Sequence, residues 1–111
     1  MKVIAIYATE TMSDWEYAYL TTQVAEAEAQ VPDRFKVLFV GESLQAVRSK
    51  GGIEVVPSLT LEDIQNRTDI AAFVVPGADT YFDGHGHLLE TVKDLHQKGV
   101  LLAAICGGTL A

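Results

Sequence analysis

Apolar positions along this chain follow two rhythms that alternate. "KVIAIYA" (residues 2–8), "RFKVLFVGES" (34–43), "TDIAAFVVPGA" (68–78) and "VLLAAI" (100–105) are near-continuous runs of β-forming residues. Such runs suit strands buried on both faces, as in a parallel sheet. Between them the period lengthens. Trp15, Ala18, Tyr19, Thr22 and Ala25 recur at helical spacing, so residues 14–29 read as a helix, ended by Pro32. Ser13 is its N-cap candidate and Glu16 follows three residues later, the spacing of a capping box. Farther on, Leu88, Leu89, Val92 and Leu95 line one face of a second amphipathic helix, with Gly99 as its C-terminal signal. In "QAVRSKGGIEVVPSLTLEDI", two short β-prone pieces flank "SKGG" and read as a small hairpin. Ser58 or Thr60 can begin a short helical turn through "LEDI".

The order is therefore strand, helix, strand, hairpin, strand, helix, strand. Helices alternating with buried strands imply an α/β fold: a flavodoxin-like, doubly wound, mostly parallel sheet with helices on both faces. The length suits one domain over residues 1–111. In such sheets ligands bind outside the carboxyl ends of the strands. Three of those ends, at residues 8–16, 76–80 and 106–108, carry unusual chemistry.

Charge narrows the partners. Eight Lys and Arg stand against 15 Asp and Glu, a formal charge of -7. That argues against nucleic acid and against an anionic membrane surface, both of which need a basic face. No apolar run approaches the roughly 20 residues that span a bilayer. "MKVIAIYATE" reads as a first strand, because a signal peptide needs a longer apolar segment and a small-residue cleavage site. The single cysteine cannot form an intrachain disulfide, which fits a reducing cytoplasm.

That cysteine, Cys106, directly follows the last apolar run and precedes Gly107 and Gly108. A strand entering a helix through one residue makes a nucleophile elbow. The crowded turn favours small residues two before and two after the nucleophile, here Ala104 and Gly108. Free N–H groups at the start of the following helix, Gly107 among them, favour an anion at the sulfur and lower the thiol pKa. The same groups would serve as an oxyanion hole. A buried structural cysteine is the plainer alternative, since free Cys is among the most buried residue types. Glu16, at the first strand's carboxyl end, is the candidate partner that shares or takes the thiol proton. The capping-box spacing from Ser13 accounts for Glu16 equally well.

Taken together, "AAICGGTLA", "VVPGAD" and "SDWEYAYL" resemble the ThiJ/PfpI family, within the class I glutamine-amidotransferase-like superfamily. The likeness runs over essentially the whole chain, in the right order. It implies a flavodoxin-like sandwich and a homodimer. It implies that Cys106 is the elbow cysteine and that Glu16 contacts its sulfur. It further implies that the backbone N–H of Gly77 or Ala78 helps to form the oxyanion site. Asp14 falls where many members also carry an acid. Reported activities in the family include peptide or amide hydrolysis, glyoxalase III-type hydration of aldehydes, redox sensing and chaperone behaviour, so the fold does not name the reaction. Three departures stand out. Proteolytic members place His directly after the cysteine, where this chain has Gly107. The second glycine of the usual Pro-Gly-Gly is Ala78. Members also continue well past the elbow, so these residues are expected to be a fragment, or the first piece of a nicked protein whose remainder is a separate chain.

Other candidates are weaker. His85 and His87 in "GHGH" are two apart, but a zinc site needs a third ligand and His96 lies about three turns along the helix. No metal site is expected, and Asp14 and His85 are kept as candidate substrate contacts. "VGES" has no phosphate-loop pattern and no Gly-x-Gly-x-x-Gly occurs, so no nucleotide or other cofactor is expected. Tyr81 and Phe82 read as packing residues. The reading that follows is a cysteine-dependent enzyme on a small carbonyl or amide substrate. The alternatives are a redox sensor with an oxidisable Cys106 and a non-catalytic interaction domain.

Overall fold

A computed structural model describes residues 2–79 and 85–105. Strand β1 (Lys2–Tyr7) leads into helix α1 (Asp14–Gln30), strand β2 (Phe35–Gly41) and the short strands β3 (Val47–Arg48), β4 (Glu54–Val55) and β5 (Leu59–Thr60). Helix α2 (Leu61–Gln65), strand β6 (Ile70–Val75), helix α3 (Gly86–Gln97) and strand β7 (Leu101–Ala104) complete the order. β5, β2, β1, β6 and β7 form one parallel sheet in that spatial order, and β3 and β4 pair antiparallel as a separate hairpin. The expected parallel α/β sheet and the hairpin around "SKGG" are both present. Strand β5 was not anticipated: two residues pair with the end of β2 immediately before α2.

The inner strands β1 and β6 are buried on both faces, as their apolar runs require. β7, at the sheet edge, departs from that expectation, with Leu101 69% exposed and Ala103 and Ala104 exposed. Val3, Ala5 and Tyr7 of β1 join Phe73 and Val75 of β6 against Leu61 and Ile64 of α2 and Leu88 and Leu95 of α3. Ile6 and Ala8 turn the other way and meet Val74 and Tyr17 of α1. The period-two alternation along β1 thus sends one set of side chains to each helical layer.

Two helix faces differ from the spacing read in the sequence. On α1 the stripe Trp15, Ala18, Tyr19, Thr22 and Ala25 is exposed, with Trp15 62% and Tyr19 75% accessible. Tyr17 is the buried residue, followed by the half-buried Leu20 and Val24. Both stripes have helical spacing, and the sheet selects the second because the Tyr17 ring packs edge-on against Phe39 of β2, at 5.3 Å and 87°. On α3, Leu89 is 46% exposed, whereas Thr91 is fully buried beside Leu88 and Leu95. Thr91 tolerates that position because its hydroxyl donates to His87 O and accepts from Gln65 Nε2 of α2. Thr60 proves to be the cap of α2: its hydroxyl accepts from Asp63 N, and the Asp63 carboxylate accepts from Thr60 N.

Gly41 closes β2 where the chain passes under Pro57. A Cβ there would stand 2.7 Å from both Pro57 Cγ and the Ser43 carbonyl oxygen. Gly41→Ala is therefore expected to destabilise the protein by about 1–3 kcal/mol through overpacking, read by urea unfolding of the full chain. An unchanged midpoint would show that the turn after β2 yields freely.

Candidate functional site at the carboxyl ends of the strands

The β1–α1 connection reaches the end of β6, and backbone polar groups make the junction. Gly77 uses both sides of its peptide: its N–H donates to Glu16 Oε1 at 2.7 Å, and its carbonyl accepts from Ser13 N at 2.8 Å. Ser13 does stand at the N-cap of α1 with extended backbone, but its side chain makes no capping hydrogen bond. The capping-box reading of Ser13 and Glu16 is thereby corrected. Gly77, from another strand end, accepts the Ser13 N–H and occupies the Glu16 carboxylate, while the Glu16 N–H donates to Ser13 O. Of the two backbone N–H groups expected as oxyanion donors, Gly77 or Ala78, that of Gly77 donates to Glu16. Ala78 is half-buried and packs against both apolar cores.

Beside this clasp, Thr11 adopts φ 63°, a left-handed conformation that is costly for a β-branched residue. Its N–H donates to Arg48 O and its hydroxyl accepts from Asp79 N at 2.8 Å. The strained residue therefore ties the loop to both the hairpin and the segment after β6.

Asp14 faces the hairpin. Its Oδ2 accepts from Gly51 N at 2.7 Å and its Oδ1 from the Tyr17 hydroxyl at 3.3 Å. A Cβ on Gly51 would meet Asp14 Oδ2 at 2.7 Å, so glycine is what permits the approach. The Ser49 hydroxyl foremost, then Gly51 N–H and Tyr17, hold the Asp14 carboxyl below its ordinary range against partial burial. Burial first, then the Asp14 charge, push the Tyr17 phenol up. The acid expected at position 14 thus fastens the 49–53 turn to α1.

His85 lies across β1 from this junction. It occupies the N-cap of α3 with no side-chain cap bond, and its Nδ1 is 2.9 Å from the Tyr7 hydroxyl. Both residues line a cavity of about 350 Å³ at the ends of β1 and β2, with Thr9, Ser43 and Gln45 as further polar lining and Glu10 and Glu42 as its acids. His85 thus lines a crevice at the strand ends, whose lining does not include Glu16, Gly77 or Ala78. The sequence offered no sign of Tyr7 as its partner, because Tyr7 belongs to an unbroken apolar run. A cavity of about 510 Å³ at the opposite end of the sheet is lined by Lys2, Arg67 and Lys98. Arg67 is paired with Asp69, and Lys98 with Asp94.

Cys106, Gly107, Tyr81 and Phe82 lie outside the described residues. Ile105, which precedes Cys106 in sequence, donates its N–H to Val75 O at the end of β6. Among the described residues no three His, Cys, Asp or Glu side chains gather as metal ligands. No helix among them is long and apolar enough to cross a membrane.

The fold has counterparts among known proteins. The family model of the DJ-1/PfpI family matches residues 1–111, and the chain belongs to that family. A Bacillus subtilis protein described as the uncharacterized protease YoaZ is 32% identical over 111 residues, covering 96% of this chain and 52% of that protein. Among solved structures, a thiJ/pfpI family protein from Bacillus anthracis is 29% identical with a TM-score of 0.82, over 98% of this chain and 53% of that one. A DJ-1 superfamily protein from Agrobacterium tumefaciens is 30% identical with a TM-score of 0.75, over 96% and 54%. The chain spans about half the length of these relatives.

Two outcomes test the junction. Glu16→Ala removes the acceptor of a charged hydrogen bond and should cost about 1.5–3 kcal/mol, whereas Glu16→Gln keeps an acceptor oxygen and should cost less; thermal unfolding of the full chain separates them. The lowered Asp14 pKa means its contacts stabilise the fold above the unfolded carboxyl value and are lost as pH falls through the folded one. Protection of the amides at residues 51–53, taken relative to their intrinsic exchange rates, should accordingly fall as pH drops below the ordinary carboxylate value, and Asp14→Asn should abolish that pH dependence.

Proposed function

We propose that this protein is a cysteine-dependent enzyme acting on a small carbonyl or amide substrate. Cys106 attacks the carbonyl carbon as a thiolate. The new C–S bond forms while the C=O π pair moves onto oxygen, and backbone donors at Ala78 and Gly107 hold that oxyanion. Glu16 accepts the thiol proton and returns it to the oxygen, or to the departing nitrogen of an amide.

The observation that carries this reading is the Glu16–Gly77 hydrogen bond. It holds a carboxylate at the carboxyl end of β6, the strand to which Ile105, the sequence neighbour of Cys106, is also bonded. Membership of the DJ-1/PfpI family supports it, as does a relative described as a protease. Gly107 stands where proteolytic members carry His, which favours small carbonyl compounds over peptides as substrates. The reading includes a homodimer in a reducing cytoplasm. It is supported by the exposed Trp15 and Tyr19 on α1 and by the lone cysteine.

Cys106→Ala in the full chain should lower turnover of methylglyoxal, or of simple amides and esters, by about 100-fold or more. Unchanged turnover on all of them would sink the enzymatic reading. Conversion of Cys106 to sulfenic or sulfinic acid by mild peroxide, with no turnover lost, would put redox sensing in its place.

A further inference from the structure

Tyr7 ends the central strand with 1% of its surface exposed, and its ring packs against Phe73 at 6.5 Å. Phenylalanine would fill that space equally well, so packing does not explain the hydroxyl. A buried hydroxyl requires a hydrogen-bond partner, and this one stands 2.9 Å from His85 Nδ1. His85 holds a helix N-cap, a position where side chains ordinarily accept from the first turn, yet its side chain makes no capping bond. Instead its ring stands edge-on to Tyr7, at 5.8 Å and 75°. The hydrogen bond sets where one ring nitrogen points, and the edge contact sets the plane of the ring. The imidazole is thereby oriented by a residue that the core holds still. Both side chains face the 350 Å³ cavity, among Thr9, Ser43 and Gln45. That cavity lies at the strand carboxyl ends, where α/β sheets receive ligands.

We infer that Tyr7 is a positioning residue that presents the His85 imidazole to a polar group of a ligand in this cavity. The ligand class, a small carbonyl or amide compound, rests on the function proposed above. The coupling of Tyr7 to His85 rests on its own geometry.

The test follows the imidazole ¹⁵N signals of the full chain at neutral pH during titration with acetamide, an unreactive probe. In the parent protein the His85 signals should shift saturably. His87 and His96, both exposed on α3, should not respond. In Tyr7→Phe the His85 nitrogen signals should move away from their parent positions. Saturation should then need about 5- to 10-fold more acetamide, the worth of one hydrogen bond. Unchanged His85 shifts and affinity in Tyr7→Phe, or no response of His85 in the parent, overturn the inference. If Tyr7→Phe fails to fold, His85→Ala at its partly exposed cap is read from the Thr9 and Gln45 amides; undiminished acetamide binding there overturns it equally. Failure of the cysteine mechanism is distinguishable. Cys106→Ala would then retain full turnover while the His85 response to acetamide stayed intact.

Discussion

The peptide of Gly77, bonded on both sides to the first turn of α1, is the constraint on which the rest of the site depends. Its carbonyl takes the Ser13 N–H and its N–H is taken by the Glu16 carboxylate. β1 and β6 are neighbours in the sheet, and α1 follows one of them. This junction fixes the start of α1 against the end of β6, together with the Thr11–Asp79 bond and the packing of Tyr17 on Phe39. With it, the hairpin is placed as well, because Asp14 lies on the same turn and holds Gly51. Thr11, two residues before Ser13, is held in its left-handed conformation by its own bonds to Arg48 O and Asp79 N.

β1 links this junction to the interior. Its alternation sends Ile6 toward α1 and Tyr7 toward α3, so the same strand end serves two sides of the site. The electrostatics there are acidic. Glu10, Glu42, Asp14, Glu16 and Asp79 gather around the strand ends, and the nearby cations Arg48 and Lys50 are engaged with Glu54 and Asp79. That distribution concentrates much of the chain's net negative charge where ligands enter an α/β sheet, and it disfavours anionic ones.

The long apolar runs were legible as strands because they are near-continuous stretches of β-forming residues, and burial on both faces followed for β1 and β6 though not for the edge strand β7. α3 was legible as a helix, but Leu89 and Thr91 exchanged places, since a threonine can enter the core when two partners satisfy its hydroxyl. Strand β5 was invisible: two residues carry no periodicity, and only pairing with β2 makes them a strand. The outward stripe of α1 was misleading for a related reason. Trp15 and Tyr19 are apolar at the correct spacing, and so are Tyr17, Leu20 and Val24.

The sequence alone determined the alternation of the long strands and helices, the parallel α/β class and the family, because hydrophobic periodicity and the motifs around Gly77 and Cys106 are local patterns. It also singled out Glu16, Asp14 and His85 as residues at strand ends. Only the tertiary structure decided what each of them touches. Glu16 reaches Gly77 across 61 positions of chain and His85 reaches Tyr7 across 78. A local motif specifies which groups need partners. Which groups supply them depends on strands that become neighbours only when the sheet has formed.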